Sequence, residues 1–331
     1  MAVAWLLALI ASSFALAWET SRDRRLAERL SVARLLTLIK ERTPAVVGNW
    51  YALAIAGLIV VLGLIAFFCP PNNYDALSYH LSRVEHWICN GSVKHFSTGV
   101  LRQVAMGPGA EFIIASLRLL SGGDRLSNCV QWFSMLGSVI AASLLAKQLG
   151  ANSKGQLLAS VVCVSLPLGI LESTSSQNDY VITFWFVCLV SHCLSLIMRR
   201  SASRVSDSVW IGLSLGLAAL TKATACFYAL PFLVWLALAR FFRNKAQTCG
   251  LMALSLTIAL LLTLPFLSRN AVEFGSPIVA HGNFCPGYRL PNESITPAYT
   301  LSNVLRNVAI ELESPVDICN RIIFRSVTAV H

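Results

Sequence analysis

Residues 50–87 read WYALAIAGLIVVLGLIAFFCPPNNYDALSYHLSRVEHW, and the break at Cys69–Pro70 decides the fold. The first twenty residues carry no charge and are long enough, as a helix, to cross a hydrocarbon core of about 30 Å. Two prolines then end the helical hydrogen-bond ladder. Asn72, Asn73 and Asp75 are helix-starting residues. Asp75 fits an N-cap, and Leu77, Leu81, Val84 and Ile88 give the apolar stripe of a following helix. A greasy span that opens into a polar, charged helix belongs to a membrane protein whose chemistry sits at a membrane edge.

The rest of the chain agrees with that start. Its 331 residues are 56% hydrophobic and 13% charged, and the mean hydropathy is +0.65. Such a composition is too apolar for an ordinary soluble domain. Apolar stretches recur at roughly 2–18, 50–69, 127–146, 156–171, 180–198, 208–221, 223–239 and 250–267. They lack the alternation of barrel strands, so the expected architecture is all-α: a polytopic bundle of about eight spanning helices. The first segment ends in ALAWE, which also suits a signal-peptide cleavage site. Positive charge is absent before it and crowds behind it, from Arg22 to Arg42, which favours a retained helix with its amino end outside.

A net charge of +10 is spread between the apolar runs, so it marks topology and gives no nucleic-acid patch. Counting spans from residue 50 outward puts Lys147, Lys154, Arg199, Arg200, Arg204, Arg240, Arg243 and Lys245 on the inner side. This parity requires that EFIIASLRLL, residues 111–120, lie at the interface, being too short and too charged to cross. The ten cysteines fall mostly within apolar runs, without metal-ligand spacing or a disulfide pattern.

With that parity the outer face collects the loop 70–125, the loop ESTSSQND at 172–179, Lys222 and everything from Arg269 onward. Lys222 is the one charge in the helical hairpin GLSLGLAALTKATACFYALPFLVWL. An ionisable group there is a functional candidate, or a lysine snorkelling to headgroups. Asp75 is either a cap or a carboxylate for proton abstraction. Arg83 and His86, on the same helix, orient sugar or phosphate groups or form a solvated face. Glu111 is a second acid or a partner of its helix dipole. Asp124 and Glu172 read as rim residues. Pro167 and Pro231 read as tolerated kinks.

The motifs YDALSYHLSRVEHW, GPGAEFIIASLRLLSGGDRLSNCVQW, SSQNDYVITFW, GLAALTKATACFYALPFLVW and LPFLSRNAVEFGSPI resemble, in this order, those of the GT-C class membrane glycosyltransferases. The aminoarabinose transferase and protein O-mannosyltransferase-like group, glycosyltransferase family 39, is the nearest in pattern, with the rhizobial lipopolysaccharide galacturonosyltransferase-like enzymes of the cell envelope. The likeness covers about residues 50–331.

It implies a multi-pass protein of the inner (plasma) membrane that transfers a sugar from a polyprenyl-phosphate donor to a lipid, glycan or protein acceptor outside, with inversion. Asp75 takes the place of the acid that acts at the acceptor hydroxyl. Gln177, Asn178 and Asp179 fall on the second outer motif, Thr221 and Lys222 on a TK pair, and Arg269 and Asn270 on an RN pair. The expected substrate-binding set is therefore Lys222, Asp179, Asn178, Gln177, Arg83, His86, Glu111 and Arg269. No metal or other cofactor is implied.

Relatives often carry a double proline where this chain has Gly107 and Pro108. They also continue with further spans, so the sequence reads as a C-terminally truncated member. The expected division is 1–49, an N-terminal helix with a basic segment; 50–268, the transmembrane domain with its outer loop; and 269–331, an outer segment. In that segment Leu301, Val304, Leu305, Val308 and Leu312 follow a helical period. A polyprenyl-lipid flippase or other transporter, or an inactive fragment, remains the alternative.

Overall fold

The computed structural model describes residues 50–199, 205–279, 296–312, 314 and 316–329. The chain divides into two compact units, Met1–Leu58 and Ile59–His331. The expected first span and the basic segment behind it lie outside the described residues, as do Arg200 and Arg204.

Every regular element among the described residues is helical. The first, α1 (Trp50–Phe68), stops just before the two prolines, as expected. A short π-helical segment, Ala76–His80, leads into α2 (Leu81–Cys89). Then come α3 (Arg102–Ala105) and α4 (Gly109–Ser121). The bundle continues through α5 (Cys129–Gln148), α6 (Ser153–Ser165), α7 (Pro167–Ser173), α8 (Asp179–Met198), α9 (Val205–Thr221), α10 (Ala225–Phe241) and α11 (Lys245–Phe274). Two further helices, α12 (Pro297–Glu311) and α13 (Asp317–Ala329), follow.

Among the described residues, α1, α5, α8 and α11 each have the length and hydropathy to cross a bilayer. The 17-residue α9 and α10 are apolar but shorter, about 25 Å each. The expected span at 156–171 is broken. Leu166 is extended, Pro167 opens α7, and the two halves meet at 70°. Proline at a first helical position starts a new helix where it cannot continue the old one. Pro231, by contrast, sits inside an unbroken α10.

Side-chain bonds sort the helix ends into two groups. At one end Asn128 binds Cys69 O (3.1 Å), Ser176 binds Asn128, Asn178 binds Thr221 O (3.4 Å), and His95 binds Asn270 (2.9 Å). At the other, Gln148 binds Ser191 (2.8 Å), Arg199 pairs with Asp207, and Arg240 donates to Leu196 O (2.8 Å). The helices therefore alternate as the parity count required. Both flanks of α4 lie at the first end: Gly109 packs on Thr221, and Asn128 on Cys69. The helix does not cross.

Packing between α9 and α11 rests on small residues. A Cβ on Gly212 would stand 2.7 Å from Ser255 O, and one on Gly216 would stand 2.9 Å from the Ala259 Cα. Close approach of backbones replaces the hydrophobic drive that lipid cannot supply.

Candidate active site

The expected cap at Asp75 is not made. Its backbone is already helical and its side chain makes no capping bond; Asn73 Oδ1 instead accepts from the Ala76 N–H at 2.7 Å. Asp75 is thereby free of local backbone duty. Its carboxylate lies 3.7 Å from the Arg102 guanidinium, with both side chains 38% exposed.

The buried face of the following helix keeps Val84, with Leu81 and Ile88 partly buried against it, and extends beyond the expected stripe on the side of His80 and Arg83. Leu77 is exposed, whereas Ala76, Tyr79, His80, Arg83, Val84 and Trp87 are buried. Two basic side chains point inward because Glu111 waits there. His80 Nδ1 is 2.8 Å and Arg83 Nη1 3.3 Å from Glu111 Oε1, and all three side chains are at most 2% exposed.

Arg83 does not form the solvated face that its helical position allows. Its Nε donates to Gln103 O, its Nη1 to Gly107 O (3.3 Å) and Glu111, and its Nη2 to Arg102 O and Met106 O (2.8 Å each). The fork of five N–H donors is matched to a loop that curls around it. Burial alone would push the Glu111 carboxyl up. Arg83, and then His80, more than offset this and hold it below its ordinary value. Burial lowers the Arg83 guanidinium, with Glu111 opposing.

The gripped loop is pressed against the α9–α10 hairpin. A Cβ on Gly107 would stand 2.4 Å from Leu220 O, and one on Gly109 2.4 Å from Thr221 Oγ1. Glycines flank Pro108 because the hairpin backbone leaves room for nothing larger. The next residue of that hairpin, Lys222, pairs with Asp179 at 2.8 Å, the two side chains being 44% and 40% exposed. Gln131, from α5, fixes the start of α8 by accepting from the N–H groups of Tyr180 (2.9 Å) and Val181 (3.2 Å).

One side chain joins the two halves of the rim. With its amide nitrogen facing the carboxylates, Gln177 donates to Glu172 Oε2 (3.1 Å) and Asp179 Oδ2 (3.3 Å) and accepts from Asn73 Nδ2 (2.9 Å). The stretch carrying Asp75 and the stretch carrying Asp179 are thus tied together. Tyr79 reports the same convergence: burial, then Asp75, raise its phenol well above the ordinary range, and Asp179 adds to the effect. Beside the rim a mostly apolar cavity of about 230 Å³ runs between α5, α6, α7, α8 and the end of α12, with Glu172, Asp179 and Glu311 among its lining residues.

The other candidates lie apart from this pair of ion pairs. His86 is exposed and stacks on Phe96, ring centroids 4.2 Å apart. Arg269 donates to Val93 O and, at 3.1 Å, to Pro265 O, and the neighbouring Asn270 holds His95. Together they clasp the loop after α2 to the end of α11. Arg102 and Gln103 went unnoticed in the sequence, since nothing local marks them; Gln103 Nε2 donates to Ser78 O at 2.7 Å.

The sequence profile described as dolichyl-phosphate-mannose-protein mannosyltransferase matches residues 105–268, just under half of the chain. Comparison with curated proteins gives no match. In fold the chain is similar to ArnT from Cupriavidus metallidurans in the apo state, with a TM-score of 0.56 at 16% identity, covering 78% of this chain and 48% of that one. It is likewise similar to the same ArnT bound to undecaprenyl phosphate, with a TM-score of 0.52 at 16% identity, covering 68% and 42%. The chain spans less than half the length of either. These findings bear out the GT-C-class resemblance and the all-helical, multi-pass membrane architecture.

Proposed function

From a bundle that resembles the GT-C class membrane glycosyltransferases in sequence and in fold, we propose that this chain carries the active site of a transferase. It moves a sugar from a polyprenyl-phosphate carrier to a hydroxyl acceptor at the outer face of the inner (plasma) membrane. The observation that carries the proposal is the Gln177 bridge between Asn73 and Asp179, which brings Asp75 and Lys222 to one rim. The ArnT structure with undecaprenyl phosphate supports a carrier of that chemistry.

Asp75 accepts the proton of the attacking hydroxyl, a role that needs a half-exposed carboxylate within hydrogen-bond reach of it. Lys222 faces the phosphate that leaves as an anion, which needs charge stabilisation more than a proton. Asp179 and Gln177 hold the lysine and the rim in register. The apolar cavity alongside offers room for the first units of the carrier. Attack and departure from opposite sides of the anomeric carbon invert its configuration.

The test is transfer in proteoliposomes from a panel of radiolabelled polyprenyl-phosphate sugars to lipid, glycan and peptide acceptors, with Asp75→Asn as control. Product formed by wild type and lost in the control supports the reading. The broken α6–α7 pair favours a second reading, since transporters place discontinuous helices beside their substrates. Movement of a fluorescent polyprenyl lipid across the bilayer, without any product, would favour that one.

A further inference from the structure

Several basic side chains stand at the site end of the bundle, and the commitments of those nearest the rim differ. Arg83 is buried with all its donors engaged, Lys222 holds Asp179 at 2.8 Å, and Arg269 binds the backbone of the clasp. Arg102 pairs with Asp75 at 3.7 Å, beyond hydrogen-bond length. Its guanidinium also lies over the Tyr79 ring, 5.8 Å from the centroid. Its backbone, however, is fixed. Arg83 Nη2 grips the Arg102 carbonyl at 2.8 Å, and the next residue, Gln103, is bonded both to Ser78 O and to Thr98 Oγ1 (2.7 Å each). A rigid backbone under a long, half-exposed side chain makes a pivot.

We infer that Arg102 is a second anion-binding residue of the proposed site, exchanging its weak bond to Asp75 for the phosphate group of the donor. The inference rests on the transferase reading given above. A guanidinium matches two phosphate oxygens with two parallel N–H bonds, a geometry that its present distance to Asp75 does not reach. Tyr79 supplies a face along which the guanidinium swings without losing all contact. The exchange couples binding to chemistry: Asp75 keeps a cationic partner until a donor arrives, and is then released to accept the hydroxyl proton. Lys222 and Arg102 come to the phosphate from the two stretches that Gln177 ties together.

The test uses the full chain in detergent and compares binding of a fluorescent polyprenyl phosphate with that of the matching polyprenol. Wild type is expected to prefer the phosphate. Arg102→Gln should lose roughly ten- to hundred-fold of that preference, the range for a hydrogen bond to a charged group, and Arg102→Lys should keep part of it. Polyprenol binding and the thermal unfolding midpoint serve as controls for folding in each variant. Asp75→Asn should bind the phosphate more tightly than wild type, and this gain should vanish in the Arg102→Gln background.

Persistence of the gain in that background would trace it to repulsion between Asp75 and the phosphate, and would overturn the exchange. An unchanged preference in Arg102→Gln overturns the inference and leaves the transferase reading standing. Wild type without any preference for phosphate overturns both. Inorganic phosphate, added as competitor, should displace the probe far less well than unlabelled polyprenyl phosphate; equal competition would assign the residue to free phosphate and sink the inference.

Discussion

Two sets of charges stand at the same end of the bundle, yet in opposite surroundings. The knot of His80, Arg83 and Glu111 is sealed from solvent, at most 2% exposed. The rim pairs Asp75–Arg102 and Asp179–Lys222 are 38% to 44% exposed. In the knot an unmet charge is costly, so every Arg83 donor is matched and the assembly is scaffolding. At the rim, water screens each pair and its net contribution is small, so partners can be exchanged. Burial, more than residue type, separates the groups that hold the site from those offered to a substrate.

The sharpest way to break this contrast is to remove one member of the knot. Arg83→Met or Glu111→Leu alone should cost about 3–5 kcal/mol, because each leaves an uncompensated buried charge. The double variant should recover only the share of that loss due to the stranded charge, because the four loop carbonyls that Arg83 binds, and His80, stay without their partners; unfolding in detergent reads the difference. Asp75→Asn is the mirror case. Under the proposed mechanism it should lower transfer by about 10²–10⁴-fold, the range for general base catalysis, while the unfolding midpoint stays put.

Gly107→Ala probes the joint between the two regions. Its Cβ would meet Leu220 O at 2.4 Å, so the loop or the hairpin must shift. A cost of about 1–3 kcal/mol is expected, with transfer impaired through the displaced Lys222. Acid separates the regions too. The Glu111 carboxyl is held below its ordinary value of 4.5 in the folded chain, so its contribution is complete above about pH 4.5. It is lost as pH falls through the depressed folded value. Amide exchange in 102–107 should rise over that acid range in wild type and lack this step in Glu111→Gln. The smallest effect belongs to Lys222→Met, which should change stability by less than about 1 kcal/mol; a larger loss would place the rim pair with the scaffold.

Much of the fold was legible because a bilayer imposes simple rules. Apolar length marks the spans, and the basic residues Lys147, Arg199, Arg240 and Lys245 mark one end of the bundle. The inability of 111–120 to cross also followed from its length and Arg118. Asp75, Asp179 and Lys222 were legible as candidates because charge beside a span is expensive, and Gln177 through the family resemblance alone. Arg102 was not, since an arginine in a polar loop carries no such mark. Nor could the sequence tell that Arg83 turns inward. Of the stripe Leu77, Leu81, Val84 and Ile88 only Leu77 is exposed, and the buried face extends to His80 and Arg83 because Glu111 lies across the interface.

The sequence by itself determined which segments are apolar enough to enter a membrane, how they alternate, and which charged residues gather at one end. Those follow from hydrocarbon thickness and the cost of charge, properties of single segments. Tertiary structure decided that Pro167 breaks a span into halves at 70°, that Asn73 rather than Asp75 caps the loop helix, and which charges are sealed and which are free. Such outcomes depend on what a distant part of the chain places opposite each side chain, and no local pattern contains that.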